Sequence, residues 1–374
     1  MIYLTKIKLI LVFVALLVNC QLSKAQVLPA AVKDSTDNAF DLSKWLLEKK
    51  GFLPVPSVVT EPALGLGGAV AVLYFHSSYM ESEGPPDVSG LVGGATNNGT
   101  WLVGGFHLGF WNEDKIRYLG ALFKADINIQ FYGPLLIIED GVEMNADIWV
   151  LVQQLNFRIA QSNFFIGGRY LFMDAKNVFD IPINIPEFSG IRVENTLSEI
   201  SPLFSYDSRN NVFTPTKGLY AHLNGSYSDT WFGGEDLYGR LEAGFIGFMP
   251  ISSKFNLGLR YNARHAFGDI PFWVKPYVDM RGVPVGKYQN NNISLIEAEL
   301  TYNVYNRWYL KAFTGIGNAY TNFNEFADGN SVRSIGTGFR YEIARALGFH
   351  MGMDFAWSNE DFGFYIVAGH AWLR

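Results

Sequence analysis

Three features of the sequence predict an all-β fold, an antiparallel barrel closed within a bacterial outer membrane. From Ala63 onward, runs alternating apolar with small or polar residues recur every ten to twenty positions, each followed by a turn; this is the period of a strand with two unlike faces. Residues 1–25 read as an export signal. No later segment offers the ~18 uninterrupted apolar residues of a membrane helix. Hydrocarbon cannot hydrogen-bond a backbone, so strands survive there only when both edges are paired.

The signal begins with Lys6 and Lys8, continues through the short apolar run Leu9–Val18, and offers a small–x–small cleavage site at Ser23-Lys24-Ala25. A lipoprotein signal through Leu17-Val18-Asn19-Cys20 would want a small residue where Asn19 stands, so cleavage after Ala25 is favoured. Cys20 is the only cysteine, so cleavage leaves no disulfide, thiolate nucleophile or cysteine metal site. Cleavage also removes three of the 29 basic residues and none of the 35 acidic ones. The resulting negative balance argues against nucleic acid as a partner.

Residues 26–62 form a leader in this reading, too short for a separate soluble domain of ordinary size. Within it Asp41–Lys50 has helical spacing, with Leu42, Trp45 and Leu46 on one side and Asp41 placed to cap. Pro54-Val55-Pro56 is extended by its prolines. The leader is either a short helix at the periplasmic mouth or in the lumen, or an unstructured segment. The barrel then occupies 63–374. Strands are predicted near 63–76, 87–97, 100–112, 116–132, 142–159, 162–176, 190–207, 217–229, 237–249, 253–266, 291–305, 307–320, 331–344, 348–358 and 361–373. Single-chain bacterial barrels have even strand numbers, and about 22 residues per strand and turn suits sixteen. The missing strand is expected upstream of Tyr206, in 176–197.

Inside and outside follow from alternation. Phe255, Leu257, Leu259, Tyr261 and Ala263 oppose Asn256, Gly258, Arg260, Asn262 and Arg264. Ile296, Ala298, Leu300, Tyr302 and Val304 oppose Glu297, Glu299, Thr301 and Asn303; Phe349, Met351, Met353, Phe355 and Trp357 oppose His350, Gly352 and Asp354. The inner set mixes Arg240, Arg260, Arg264 and Arg340 with Glu242, Glu297, Glu299, Glu342 and Asp354. Such a lumen is hydrated or filled by a folded-in loop, because unpaired charges in a dry interior cost several kcal/mol, of order ~5 each. In the last strand Phe364, Tyr365, Ile366 and Val367 are apolar in succession and break the alternation. A soluble β-sandwich fits less well, since the chain length per strand is long for one.

Three stretches carry a family resemblance: Tyr206-Asp207-Ser208-Arg209-Asn210-Asn211-Val212-Phe213-Thr214-Pro215-Thr216-Lys217-Gly218-Leu219-Tyr220, Pro276-Tyr277-Val278-Asp279-Met280-Arg281-Gly282-Val283, and Leu295-Ile296-Glu297-Ala298-Glu299-Leu300. In order and spacing they resemble the barrel of the BamA/TamA superfamily, the bacterial surface antigen proteins. The resemblance implies sixteen strands and a sixth extracellular loop folded back into the lumen. It implies that the tip Arg281-Gly282 locks onto the wall acid Glu299. The family's second acid lies in a stretch where this chain has Gly315, so the lock is either weaker here or completed by Glu297. A guanidinium prefers a bidentate carboxylate on chemical grounds alone. In the first stretch Pro215 and Gly218 make a tight turn that Asp207 and Arg209 cap, next to Tyr206. The family's terminal aromatic is displaced to Trp372, with Arg374 at the end. Relatives that handle other proteins carry periplasmic POTRA domains, for which this leader has no room.

The resemblance implies a role in outer-membrane protein assembly or translocation, with outer-membrane lipid, client barrel proteins or a periplasmic or lipoprotein subunit as partners. Its working part would be a lateral seam between 63–76 and 361–373. Gly65, Gly67 and Gly68, with Gly369 and Trp372 opposite, would weaken pairing there, and an open edge could template an incoming strand. A passive or loop-plugged pore for small solutes is the alternative. An enzyme is remote: His76, His107, His222, His265, His350 and His370 are scattered, His265 with Asp269 is the only pair worth noting, and no Gly-x-Ser-x-Gly or His-Glu-x-x-His occurs. The acidic loop Asn322–Asn330 lacks the spacing of a calcium loop. No catalytic residue, cofactor or metal is expected.

Overall fold

The computed structural model describes residues 32–61, 63–81, 84–131, 142–180, 191–359 and 361–373. The export signal and its cleavage site at Ala25 lie outside the described residues. A short helix α1 (Ser43–Leu47) precedes sixteen strands: β1 (Gly51–Val59), β2 (Gly67–Phe75), β3 (Val88–Thr96), β4 (Trp101–Trp111), β5 (Ile116–Phe131), β6 (Val142–Arg158), β7 (Phe164–Asp180), β8 (Ile191–Asp207), β9 (Gly218–Ser228), β10 (Tyr238–Pro250), β11 (Phe255–Gly268), β12 (Asn292–Tyr305), β13 (Trp308–Tyr320), β14 (Asn330–Ala344), β15 (Phe349–Ser358) and β16 (Asp361–Ala368). They form one antiparallel sheet in chain order, a nearly closed barrel. The long β11–β12 loop is the sixth at its end of the barrel. The two-residue β12–β13 turn, Asn306-Arg307, marks the opposite, short-turn end.

The missing strand is β1, in the segment read as leader, so the barrel begins at Gly51 rather than Ala63. The described residues of 176–197 belong to β7 and β8, which pair directly from Phe164↔Tyr206 to Phe179↔Ile191. Pro54 and Pro56 disguised β1. Proline removes a ladder donor and is confined to sheet edges, and β1 is an edge. Its ladder with β2 runs unbroken from Gly51↔Phe75 to Val59↔Gly67. Only the non-hydrogen-bonded positions of such a ladder tolerate proline, so Pro54 and Pro56 would have donated away from β2.

The alternation places apolar side chains outward: Val70, Val72, Tyr74, Leu259, Tyr261, Ile296, Leu300, Ile335 and Trp357 are all exposed. The inner charges pair along the wall. Arg260 Nη1 donates to Glu297 at 2.6 Å and Arg264 Nε to Glu242 at 3.2 Å; both pairs sit opposite each other in the ladders. The succession of apolar residues in β16 also has its reason. Phe362 and Ile366 face out, while Tyr365 and Val367 are buried inward in a cluster with Phe313, Ala356 and Ala371. The last strand is shorter than expected, because Gly369 (φ +77°) turns the chain off the wall.

The segment before β1 is ordered by charge. Asp34, Asp37 and Asp41 converge on the buried Arg307: Asp37 Oδ2 accepts from its Nε at 2.8 Å, and Asp41 Oδ2 from its Nη1 at 2.6 Å. Arg345, in the β14–β15 turn, donates to Asp37 at 2.7 Å and to Asp34 at 3.1 Å. Expected over Asp41–Lys50, the helix is five residues long, and Asp41 Oδ1 accepts from the Ser43 N–H. Hydrogen bonds hold all three carboxyls below their ordinary range: those from Thr36 for Asp34, from Arg307 for Asp37, and, against an opposing burial effect, from Ser43 and Arg307 for Asp41. A depressed carboxyl stabilises the docked state at and above the free value and loses that contribution as pH falls. We therefore predict that a nitroxide at Lys44 keeps a broad spectrum from pH 7 to 5 and sharpens only below about pH 4. Sharpening already at pH 6 would contradict this.

Candidate functional site

Two features form the candidate site: a buried arginine lock inside the barrel, and the junction where β1 and β16 meet. The lock begins with glycine. Gly315 and Gly317 face the lumen from β13, where a Cβ at Gly315 would lie 3.0 Å from the Met280 sulfur and one at Gly317 2.3 Å from Val278. These bare positions seat the sixth loop. Val278, Met280, Val283 and Tyr288 pack with Ile293, Leu295, Ala319 and Val332 into one buried cluster. An acid at 315 would have no room.

Packing of that loop delivers Arg281 to the wall. Its Nη2 donates to Glu299 Oε2 at 2.7 Å and its Nη1 to Asp354 Oδ2 at 2.7 Å, and the guanidinium lies 3.5 Å from the Phe313 ring centroid. Burial opposes its charge, but the carboxylates of Glu299 and Asp354 outweigh that and raise its pKa above the ordinary arginine range. The charges around it are shared: Glu299 also takes Lys311 and lies 3.1 Å from His370 Nε2, and Asp354 holds both terminal nitrogens of Arg340. Gly282 (φ +86°) lets the tip turn, its N–H donating to Tyr365 Oη at 2.9 Å and its carbonyl accepting from Ser358 Oγ at 2.6 Å. The loop is thus bonded to β12, β14, β15 and β16 at once, since Ser334 Oγ donates to the Arg281 carbonyl.

Glu297 does not complete the lock; it is buried beside it and engaged by Arg260, which also donates to the Asp279 carbonyl at 3.0 Å. The second acid is Asp354, inward-facing in the alternation of β15 but 73 positions from Arg281. Its location among inward charges was a visible signal; its partner was not.

The Tyr206–Tyr220 stretch does more than turn. Asp207 and Arg209 form a two-pronged pair at 2.8 Å, the guanidinium lying 4.8 Å from the Tyr220 ring centroid. Gly218 has φ +97° and Pro215 is buried. Between them the turn crosses the short-turn mouth: Asn211 Nδ2 donates to the Leu347 carbonyl at 2.8 Å, and Phe213 packs edge-on against Phe349. A Cβ at Gly369 would lie 2.9 Å from the Phe213 carbonyl oxygen. Beyond Gly369 the tail stays inside, with Trp372 against Gly258 and Phe248.

The seam is not where the glycines suggested. Gly67 and Gly68 pair with β1 and β3, and Gly65 lies in the β1–β2 connection at φ +78°. Gly65 and Gly67 allow the close approach of Asn97 and Ala95, which a Cβ would meet at 2.3 and 2.2 Å. The open junction is between β1 and β16; among the described residues no hydrogen-bonded ladder joins them. Four alternate positions of β1 present their backbone to it: Phe52, Pro54, Pro56 and Val58. Two of these lack a donor.

Residues 189–372 match the family model of the Omp85 superfamily domain. Among solved structures, the fold is similar to BamA from Haemophilus ducreyi lacking POTRA domains 1-3, with TM-score 0.61 and 15% identity over 86% of this chain and 70% of that one. It is similar to CdiB from Escherichia coli (0.58, 10% identity, 84% of this chain) and to CdiB from Acinetobacter baumannii (0.54, 10%, 84%). The match spans 62% and 59% of those two chains, less than two thirds of their length. At such identities the likeness is one of fold. No curated protein matches the sequence.

Removing the guanidinium while leaving its acids buried is costly, though Lys311 and Arg340 remain to offset part of the loss. Arg281→Ala is expected to destabilise the barrel by about 3 kcal/mol and to open the loop 269–291 to protease. Glu297→Gln should leave that loop protected. Equal protection of the loop in Arg281→Ala and native protein would contradict the lock.

Proposed function

Through residues 189–372 the chain belongs to the Omp85 superfamily, and we propose that it works in a bacterial outer membrane, in the assembly or translocation of other outer-membrane proteins. One observation carries this reading: among the described residues fifteen neighbouring strand pairs are laddered and the sixteenth junction is not. In hydrocarbon an unmet backbone donor or acceptor costs several kcal/mol, of order ~3 per group. Prolines on the β1 side reduce the number of unmet donors, so an open junction is less costly here than elsewhere in the wall. The edge of β16 keeps its donors and is the side on which an incoming strand would be paired by β-augmentation. Lipid and unfolded barrel clients are the partners this chemistry suits, with a periplasmic or lipoprotein subunit delivering them. The work is mechanical, not catalytic.

A solute pore is the second reading, and the lumen weighs against it. The sixth loop, the β8–β9 turn and the C-terminal tail all pass inside or across the barrel. Among the cavities they leave is one of about 740 Å³ at the short-turn end, lined by Asn210, Lys254, Lys311 and His370 among others. Planar-bilayer recordings are expected to show low conductance that rises in Arg281→Ala; a large constant conductance insensitive to that change would favour the pore.

The decisive experiment locks the junction. A disulfide between cysteines at Val58 and Phe362, the outward residues near the long-loop ends of β1 and β16, should abolish insertion of a test barrel into reconstituted vesicles. Reduction should restore it. Full insertion by the locked protein would remove the reading.

A further inference from the structure

The segment ahead of β1 does not approach its strand from β1's own side of the junction. It is anchored on the other side. Arg307 lies in the β12–β13 turn and Arg345 in the β14–β15 turn, and between them they hold Asp34, Asp37 and Asp41. Backbone bonds add to the ion pairs: the Leu42 N–H donates to the Ile343 carbonyl at 2.7 Å, the Ala346 N–H donates to Ser43 Oγ at 2.9 Å, and Tyr341 Oη donates to the Phe40 carbonyl at 3.0 Å. Arg307 has only 1% of its side chain exposed, so removing its acids would leave a buried charge uncompensated, a larger loss than breaking a surface pair. From Ser43, fixed beneath β14–β15, the chain reaches Gly51 at the start of β1 in eight residues. Five are helical and span about 7 Å; the rest, extended, add about 10 Å. Crossing from β15 past β16 to β1 takes two strand spacings, about 10 Å. The reach exceeds the crossing by about 7 Å, which limits how far the short-turn end can part.

We infer that residues 32–50 form a strap across the short-turn end of the β1–β16 junction, anchored by Arg307 and Arg345, which confines opening to the long-loop end. The inference rests on the junction being an opening seam. With the strap in place, β1 swings about its own start while the opposite end of the junction parts. Asp34, Asp37 and Asp41 are the releasable fasteners, and nothing in the strap depends on the sixth-loop lock.

Pairs of spin labels in a Cys20→Ser background of the full chain in lipid nanodiscs test it. One pair sits at Phe52 and Ile366 near the short-turn end, the other at Val58 and Phe362 near the long-loop end. In the otherwise native protein the first pair should give one narrow distance and the second a broad distribution. Arg307→Ala should broaden the first by about one strand spacing, ~5 Å, and leave the second unchanged. The triple change Asp34→Asn, Asp37→Asn, Asp41→Asn should do the same without removing the arginine, which covers misfolding of the first variant. Two equally broad distributions with the strap intact, or a short-turn distance that stays narrow after both changes, would overturn the strap while leaving the seam standing. A single short distance at both ends in every variant would instead overturn the seam itself.

Discussion

Backbone hydrogen bonding in a medium that offers none in return is the constraint on which this structure depends. Among the described residues fifteen ladders meet it and one junction does not. At that junction the chain has placed prolines, the residue type that has no donor to leave unmet. The same two residues would break any central strand. Their position therefore marks β1 as an edge by chemistry, and the barrel as one whose wall is asymmetric across the gap.

The interior follows a different rule. A lumen lined with both signs of charge is stable only if each charge finds a partner, and here the partners come from neighbouring strands and from loops that turn inward. Glu242 and Glu297 take arginines directly opposite. Glu299 takes Lys311 from the wall and Arg281 from the sixth loop, and Asp354 takes Arg340 from the wall and the same Arg281. Glycines at 315 and 317 make the space, the apolar loop residues fill it, and the guanidinium is fixed by both. The loop thereby ties strands on the β16 side of the gap to one another, which leaves β1 as the element free to move.

Much of the fold was legible in the sequence because two faces in two solvents impose a strict period of two. Phe255–Arg264 could be assigned inside and outside by counting. Arg281 and Glu299 were legible through a motif resemblance and through the preference of guanidinium for carboxylate. What stayed hidden needed register. Nothing local in the sequence pairs Asp354 with Arg281 across 73 positions, and nothing distinguishes Pro54 and Pro56 in an edge strand from prolines in a linker. The glycines at 65, 67 and 68 misled for a related reason, since glycine marks both weak pairing and close approach, and only packing decides which. The acids at 34, 37 and 41 were present as a spacing, but their arginines lie some 270 and 310 residues on.

Amide exchange in lipid nanodiscs, resolved to single residues, tests the central claim most directly. An open junction predicts that β16 is split: alternate amides bonded to β15 stay protected, while those facing β1 exchange orders of magnitude faster. All amides of β12, bonded on both sides, should remain protected. Uniform protection along β16, equal to that of β12, would mean the barrel is sealed and the account is wrong.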